Sequence, residues 1–294
     1  MKLSAYCMYC LVKRQEENIR DIKDEKLKSE YMREVLKIIA DSAEEATAPV
    51  VIADINCLHQ KYFGSSYSFE RLKKEYNQHM LAKEPNIYKD ILSSADPLLT
   101  ALKIARAGNY IDFGAMDSVD KEKLQDLLNQ AGDEYLEPTQ YQELLEDLNK
   151  ASRLVYLTDN CGEIVLDKLL IQVIKEQYPH LDVTVIVRGQ PVVNDATLED
   201  AEMTGLTEIA RVIGNGTQIA GTQLDRISDQ AGKALEEADV IISKGQGNFE
   251  TLHGCGLNIY YLFLCKCDWF VNRFGLERYK GVILNEKYVL ERLS

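Results

Sequence analysis

The second half of the chain alternates between short apolar runs typical of strands and longer amphipathic runs typical of helices. The strand-like runs are RLVYLT, DVTVIVRG, ARVIG, DVIISKG, IYYLFLCKC and KGVIL, and the first begins at Arg153. Helix-patterned segments lie between them at 163–177, 197–204 and 222–237. Strands that alternate with helices form βαβ units, so this half predicts a mostly parallel sheet with right-handed crossovers.

The first half has a different pattern. Apolar residues recur at three- and four-residue spacing, which predicts helices, in EYMREVLKIIADSAEEA, FERLKKEYNQHMLAK, PLLTALKIARAG, VDKEKLQDLLNQ and QYQELLEDLNK. The one strand candidate there is APVVIAD, residues 48–54. We therefore predict an α/β protein in which a mainly helical region, residues 1–150, packs directly onto an α/β core, residues 151–294.

Composition excludes several classes of protein. Hydrophobic residues make up 46% of the 294, enough for a full core, and 47 acidic against 34 basic residues give a net charge of -13. Binding to nucleic acid needs a basic footprint, so we expect no nucleic-acid partner. No apolar run reaches membrane-spanning length, no signal peptide is evident, and the seven cysteines are scattered. We expect a cytoplasmic protein without a membrane partner, and the sequence does not define its oligomeric state.

Polar clusters follow three of the predicted strands. The ligand-binding edge of a parallel sheet lies at the carboxyl ends of its strands, so we expect these clusters to lie close together. They are Asp159-Asn160-Cys161-Gly162-Glu163, then Arg188 with Asn194-Asp195 shortly after it, and then Lys244-Gly245-Gln246-Gly247-Asn248 with Glu250.

The side chains in these clusters suit a metal ion and a phosphate. Carboxylate and amide oxygens favour a hard divalent cation, which Asp159, Asn160 and Asp195 could hold while leaving positions for water and substrate. Such an ion polarises a phosphoryl oxygen and lowers the pKa of bound water. Lys244 and Arg188 could neutralise phosphate oxygens. The free N–H groups of the helix that follows the first cluster would add an anion site.

The same residues have structural interpretations. Asp159 or Asn160 could cap the following helix, and residues 194–195 precede a helical pattern of their own. Arg188 could form an ordinary surface ion pair. Three such clusters at strand ends favour a shared site over separate structural roles.

Other motifs are weaker or missing. Cys7 and Cys10 match half of a zinc site, and a split site that also uses Cys265 and Cys267 is the alternative to free thiols. The sequence has no G-x-G-x-x-G after a strand, no G-x-x-x-x-G-K-[ST] and no G-x-S-x-G. The common nucleotide-binding and serine-hydrolase classes therefore lose support.

Taken in order, LTDNCGEIVLD, VRGQPVVNDATLEDA and SKGQGNFETL resemble the motifs of the domain-of-unknown-function 89 family, the metal-dependent damage-control phosphatases. GNYIDFG, residues 108–114, resembles the Gly-Asn-x-x-Asp-x-Gly signature of that family. The early cysteine pair resembles its stand-alone prokaryotic branch. The resemblance covers essentially the whole chain.

The resemblance implies a helical N-terminal part and a three-layer α/β/α core. It also implies a divalent cation (Mn²⁺, Mg²⁺, Co²⁺ or Ni²⁺) held by Asp159, Asn160 and Asp195, with Lys244 binding the substrate phosphate. Residues 108–114 would contribute to the same cleft. The other motif positions expected at this cleft are Asn109, Asp112, Glu163, Arg188, Asn248 and Glu250.

The activity that the resemblance implies is hydrolysis of small phosphate monoesters, often sugar phosphates or damaged phosphometabolites. Attack by metal-activated water is more economical than a phosphoenzyme. An acid is needed for the leaving oxygen, and the sequence leaves Asp112 and Glu250 as alternatives.

Two other functions stay open. One is an S-adenosylmethionine-dependent carboxyl methyltransferase, for which LTDNCGE is a poor glycine-rich loop. The other is a non-catalytic metabolite-binding module. The sequence defines neither the physiological substrate nor the native metal.

Overall fold

The structure, a computed structural model, describes residues 1–64, 69–113 and 119–293, with side chains as far as Glu291. Gly114, the last residue of the GNYIDFG motif, lies outside the described residues. No helix within them is long and apolar enough to span a membrane.

The predicted helical character of the first half is confirmed. The helices described before the first strand are α1 Ala5–Asn18, α2 Glu25–Asp41, α3 Ala48–Phe63, α4 Glu70–Ser93, α5 Pro97–Gly108, α6 Lys121–Gln130 and α7 Pro138–Lys150, with a 3-10 helix at Ala131–Asp133.

The strand candidate at residues 48–54 is wrong, because this segment opens α3. Pro49 lies in the first turn, where its fixed φ suits a helix and its missing N–H costs nothing. Val51, Ile55 and Leu58 are buried at the four- and three-residue spacing of a helix face. Six apolar residues followed by Asp54 are too short a window to separate a buried helix from a strand.

Strands and helices alternate in the second half, as predicted. They are β1 Arg153–Leu157, α8 Glu163–Gln177, β2 Asp182–Val187, α9 Leu198–Met203, β3 Arg211–Gly214, α10 Asp229–Glu236, β4 Val240–Lys244, α11 Gln246–Leu252, β5 Ile259–Leu264, α12 Asp268–Phe274, β6 Gly281–Asn285 and α13 Glu286–Leu293, with a 3-10 helix at Leu206–Glu208.

The six strands form one sheet in the order β3-β2-β1-β4-β5-β6, and all neighbours are parallel except β5 and β6. The chain moves outward from β1 to β3 and then returns to the other side of β1 with β4. The direction of winding therefore reverses between β1 and β4. In open α/β sheets the crevice for ligands opens at this reversal, beyond the carboxyl ends of the strands.

Helices cover both faces of the sheet. Tyr156 on β1 belongs to an apolar cluster that includes Leu102 of α5 and Leu169 of α8. Its neighbour Leu157 belongs to the opposite cluster, together with Phe249 of α11. Successive strand residues thus face two different cores, which confirms the three-layer α/β/α architecture.

The helical region divides between two cores. Leu98 and Leu144 share a cluster with Leu154 of β1, so α5 and α7 pack directly on the sheet domain. A domain division at residue 150 stays a prediction, since this cluster crosses it. Helices α1 to α3, called here the N-terminal bundle, pack around a separate cluster of Leu11, Ile19, Tyr31, Val35, Ile39, Val51, Ile55 and Leu58.

Candidate active site

A cleft of about 1020 Å³ opens at the reversal between β1 and β4. Its walls come from the N-terminal bundle, the start of α4 and the loops after β1, β2, β3 and β4. The predicted site residues that line it are Asp112, Asp159, Asn160, Asp195 and Glu250. Those that lie behind its wall and are buried are Asn109, Glu163, Arg188, Lys244 and Asn248.

The loops after β1 and β2 meet in a short bridge. Asn160 and Asp195 pair as an isolated antiparallel bridge. The Ala196 N–H donates to the carbonyl of Asp159 at 2.7 Å, and the Cys161 N–H donates to the carbonyl of Asn194 at 2.8 Å. The structure therefore brings Asp159, Asn160 and Asp195 together on one side of the cleft, although 35 positions separate the last two in the chain.

Asp159 is held by amide groups on one carboxylate oxygen. Asn109 Nδ2 and Asn160 Nδ2 donate to its Oδ2 at 3.0 and 2.7 Å. Arg188 Nη2 lies 3.4 Å from its Oδ1. Gly245, with φ +81°, passes so close that a Cβ atom there would overlap the carboxylate. The side chain is fixed from several directions before any ligand binds.

Arg188 lies between the two carboxylates. Its Nε donates to Asp195 Oδ2 at 2.6 Å, and its Nη1 donates to Asn248 Oδ1 at 3.0 Å. The guanidinium is 1% exposed. It partly balances the charge of Asp159 and Asp195 from behind, and direct contact with a phosphate stays a prediction.

The carboxylates of this wall lie in an environment that disfavours their charge. Burial raises the pKa of Asp159 well above its usual range, and the negative charges of Asp195 and Glu163 raise it further. Burial also raises the pKa of Asp195 to about 6, although Arg188 opposes the shift. A bound cation would replace the protons that such a cluster tends to hold.

Glu163, the first residue of α8, accepts hydrogen bonds from Asn160. Its Oε2 accepts from the Asn160 side-chain amide at 2.9 Å and from the Asn160 backbone N–H at 3.3 Å. Asn109 Nδ2 contacts both Glu163 oxygens at 3.2 and 3.1 Å, while Asn109 Oδ1 accepts from the Leu264 N–H. Asn109 thus joins Asp159 to Glu163 and fixes both against β5.

Lys244 lies deeper than the sequence suggests. Its ammonium contacts Glu163 Oε1 at 2.6 Å, Asp167 Oδ1 at 2.5 Å and the carbonyl of Ala105 at 2.8 Å. Burial lowers its pKa, but the carboxylates of Asp167 and Glu163 outweigh burial and raise it overall. Binding of phosphate by Lys244 stays a prediction.

Asp167 is a buried residue of this network that the sequence analysis missed. Its carboxylate also accepts from the Tyr156 hydroxyl at 2.7 Å, and burial raises its pKa to about 6 although Lys244 opposes the shift. Asp167 follows Glu163 by four residues, so both lie on one face of α8. A charged residue inside the apolar pattern of that helix was the available signal.

The two candidate acids have different surroundings. Asp112 Oδ2 pairs with Lys266 Nζ at 2.6 Å, and the Lys266 side chain is 1% exposed. Lys266 was missed because it lies in the strand-like run IYYLFLCKC. Glu250 is half-buried in α11, and burial raises its pKa to about 7.

The comparison with known proteins decides the family. The family profile described as "Damage-control phosphatase ARMT1-like domain" matches residues 3–282. The chain belongs to this damage-control phosphatase family. Membership supports a phosphatase role in broad terms.

Similar family members come from archaea. A damage-control phosphatase of Archaeoglobus fulgidus is 32% identical over 284 residues, 94% of this chain and 96% of the relative. A damage-control phosphatase of Pyrococcus horikoshii is 30% identical over 293 residues, 99% of this chain and 100% of the relative. The crystal structure of a domain-of-unknown-function 89 protein from Pyrococcus horikoshii matches with a TM-score of 0.79 at 28% identity, covering 97% of this chain and 99% of the other.

In this damage-control phosphatase family member, neither predicted cap pair, 159–160 or 194–195, caps a helix. Gly162 is the N-cap residue of α8, and its N–H donates to Asn77 Oδ1 at 2.6 Å. Thr197 is the N-cap residue of α9 and forms a capping box with Asp200. The first N–H groups of α8 all donate to protein atoms, so the predicted anion site at this helix start is wrong.

The donor set fits a hard divalent cation. Across the part of the chain that the structure describes, no three or more His, Cys, Asp and Glu side chains group so as to hold a metal ion. The four cysteines of the possible split zinc site are among the side chains that form no such group. The predicted set has a different composition, two carboxylates and the amide of Asn160. A cation such as Mg²⁺ is typically held by one or two carboxylates and completes its shell with water and substrate phosphate.

Proposed function

We propose that this damage-control phosphatase family member hydrolyses small phosphate monoesters with a divalent cation held by Asp159, Asn160 and Asp195. The bridge between the loops after β1 and β2 carries this proposal, because it places two carboxylates and an amide on the wall of a large cleft. Mn²⁺, Mg²⁺, Co²⁺ and Ni²⁺ are the candidate cations. Sugar phosphates and damaged phosphometabolites are the candidate substrates.

When bound, a divalent cation supplies polarisation of a phosphoryl oxygen and a lowered pKa for a water molecule. The protein contributes orientation. Asn109 and Asn160 fix one oxygen of Asp159, and Arg188 fixes one oxygen of Asp195. Groups held in place before the substrate arrives need no reorganisation during the reaction.

Glu250 is the better candidate for the acid that protonates the leaving oxygen. An acid must carry a proton near the working pH, and burial raises the pKa of Glu250 to about 7. Asp112 faces the ammonium of Lys266 at 2.6 Å, so its carboxylate already has a charged partner. Asp112 is thereby suited to orient substrate or water at the cleft wall.

Lys244 has a structural task whether or not it meets phosphate. Its ammonium balances Glu163 and Asp167, and contact with a substrate would require exchange of one of these partners. In the arrangement observed, its charge acts through Glu163 on Asn160 and Asp159.

A panel of phosphorylated metabolites tests the proposal. The protein is stripped of metal with a chelator, each of the four cations is added, and release of inorganic phosphate is measured. We expect turnover with at least one cation and none without. Asp195→Asn should lose more than the roughly 10–100-fold that removal of an outer-shell partner of a metal ligand typically costs.

Asp90→Asn is the matched control, since Asp90 is an exposed carboxylate on α4. It should keep wild-type turnover. Full activity of Asp195→Asn would contradict the proposal. No turnover across the panel, with binding of S-adenosylmethionine in calorimetry, would favour the methyltransferase alternative.

A further inference from the structure

Of the described residues, four lysines and arginines line the cleft, and they differ in their exposure to solvent. Lys74 and Arg226 are exposed, and Arg14 is half-buried. Lys73, in the first turn of α4, is the buried one of these four, at 8% exposure. A cation shielded from bulk water attracts an anion more strongly than an exposed one, because the intervening dielectric is lower.

The ammonium of Lys73 is held in place by α9. Its Nζ contacts Asp200 Oδ2 at 2.6 Å and Thr197 Oγ1 at 3.3 Å. Asp200 is itself fixed, since its carboxylate accepts from the Thr197 N–H and from Asn77 Nδ2, both at 2.8 Å. An ammonium has three N–H donors, and these contacts use two of them. Within the residues that the structure describes, this ammonium makes no further hydrogen bond, so its third donor can meet a ligand in the cleft.

The position of Lys73 relative to the proposed cation site is set by the chain. Thr197, which it contacts, follows Asp195 by two residues. Lys73 and Asp195 also line the same cleft. Lys244, by comparison, is fully buried among Glu163, Asp167 and a backbone carbonyl.

We propose that Lys73 binds a phosphate oxygen of the substrate, with Asp200 as the positioning residue for its ammonium. This rests on the proposed phosphatase function. Lys73 lines the cleft beside Asp195, it is shielded from bulk water, and one of its donors is directed to neither Asp200 nor Thr197. A lysine acts as a point charge on phosphate and needs no bidentate geometry.

Binding of inorganic phosphate tests the role of Lys73 without requiring turnover. Calorimetry measures phosphate affinity in the presence of Mg²⁺, and a separate titration measures Mg²⁺ affinity alone. Lys73→Met should weaken phosphate binding at least roughly 10-fold, the typical scale for loss of a charged hydrogen bond, and leave Mg²⁺ affinity within about threefold. For any ester that the wild type hydrolyses, KM should rise by a similar factor.

Lys74→Met is the matched control, because it removes the neighbouring charge from the same cleft and should change neither affinity. Lys73→Met could fail to fold because Asp200 loses its partner. In that case the double variant Lys73→Met/Asp200→Asn, which removes both charges, is used in the same measurements. Phosphate affinity within twofold of wild type in the folded variant would overturn the proposal. An equal loss of Mg²⁺ affinity would overturn it too, since Lys73 would then act only through Asp195.

The two proposals fail in different ways. A wild-type protein that binds phosphate through Lys73 but hydrolyses no ester would contradict the proposed phosphatase function and support the phosphate site. Hydrolysis with the same KM in Lys73→Met as in the wild type would contradict the phosphate site alone.

Discussion

At residue 245 the backbone after β4 passes directly beside the carboxylate of Asp159. The φ of +81° and the lack of space for a Cβ atom both require glycine at this position. A conformational requirement and a steric one therefore coincide at a single residue of the site.

Gly245→Ala should separate these two requirements when compared with Gly256→Ala. Gly256 has φ +82°, but a Cβ there meets nothing within 4 Å. Both variants should lose about 1–3 kcal/mol of unfolding free energy from backbone strain, measured by urea denaturation. Gly245→Ala alone should also displace Asp159 and weaken cation binding roughly 10-fold or more. Equal cation affinity in the two variants would show that the carboxylate is not held by this contact.

The predicted ligand set could be found from sequence because of a topological rule, the shared edge of parallel strands. Asp159, Asn160 and Asp195 all follow strand ends, and the structure brings them together. Lys73 could not be found in this way. It stands next to Lys74 in a helix, and nothing local indicates which of two adjacent lysines faces the core, since that depends on packing of α4 against α9.

Among the elements, β1, β2, β4, β5, β6 and α8 were predictable because each is a largely buried run. The strand β3 was predicted from its apolar residues, although Ile213 is the one residue of it that is buried. The prediction of a helix at 222–237 was too long, because α10 covers only Asp229–Glu236. The preceding residues form part of the loop after β3, in which Asn215 Oδ1 accepts from the N–H groups of Gly189 and Thr217. The spacing of apolar residues, on which the helix prediction rested, carries no information about such a contact between two loops.

The N-terminal bundle should respond to a core substitution as a unit. Val35 is fully buried in its cluster, while the adjacent Leu36 is 51% exposed. Val35→Ala should destabilise the bundle by about 1.5–3 kcal/mol, from lost apolar burial and the cavity left behind. Hydrogen exchange should then quicken in α1 to α3 more than in β1 or α8.

Leu36→Ala is the control on the same helix and should change stability by less than about 0.5 kcal/mol. Exchange that quickened equally in the bundle and in the sheet after Val35→Ala would mean that the two cores unfold together.

The molecule as a whole carries a net charge of -13, and several of its carboxylates line the cleft. One of these carboxylates, that of Glu250, should make the free energy of unfolding depend on pH. Its folded pKa of about 7 lies above the value of about 4.3 expected when unfolded, so between these values the folded state binds more protons. Its contribution to stability is therefore complete below about pH 4 and lost as the pH rises through 7.

Unfolding of the metal-free protein at pH 5 and pH 8 checks this sign. The stability difference between wild type and Glu250→Gln should fall from pH 5 to pH 8. Glu122→Gln, an exposed residue of α6, changes the net charge equally and should show no such fall. The same pH dependence in both variants would rule out a special environment for Glu250.

The N-terminal bundle forms one wall of the cleft. Its hydrophobic core is separate from the two cores on the faces of the sheet. The two sides of the cleft are therefore under different constraints during evolution. The side that carries Asp159 and Asp195 is tied to the geometry of the strands and tolerates little change. The opposite side can be remodelled on a scaffold that stays folded, which would change the molecules that the cleft admits.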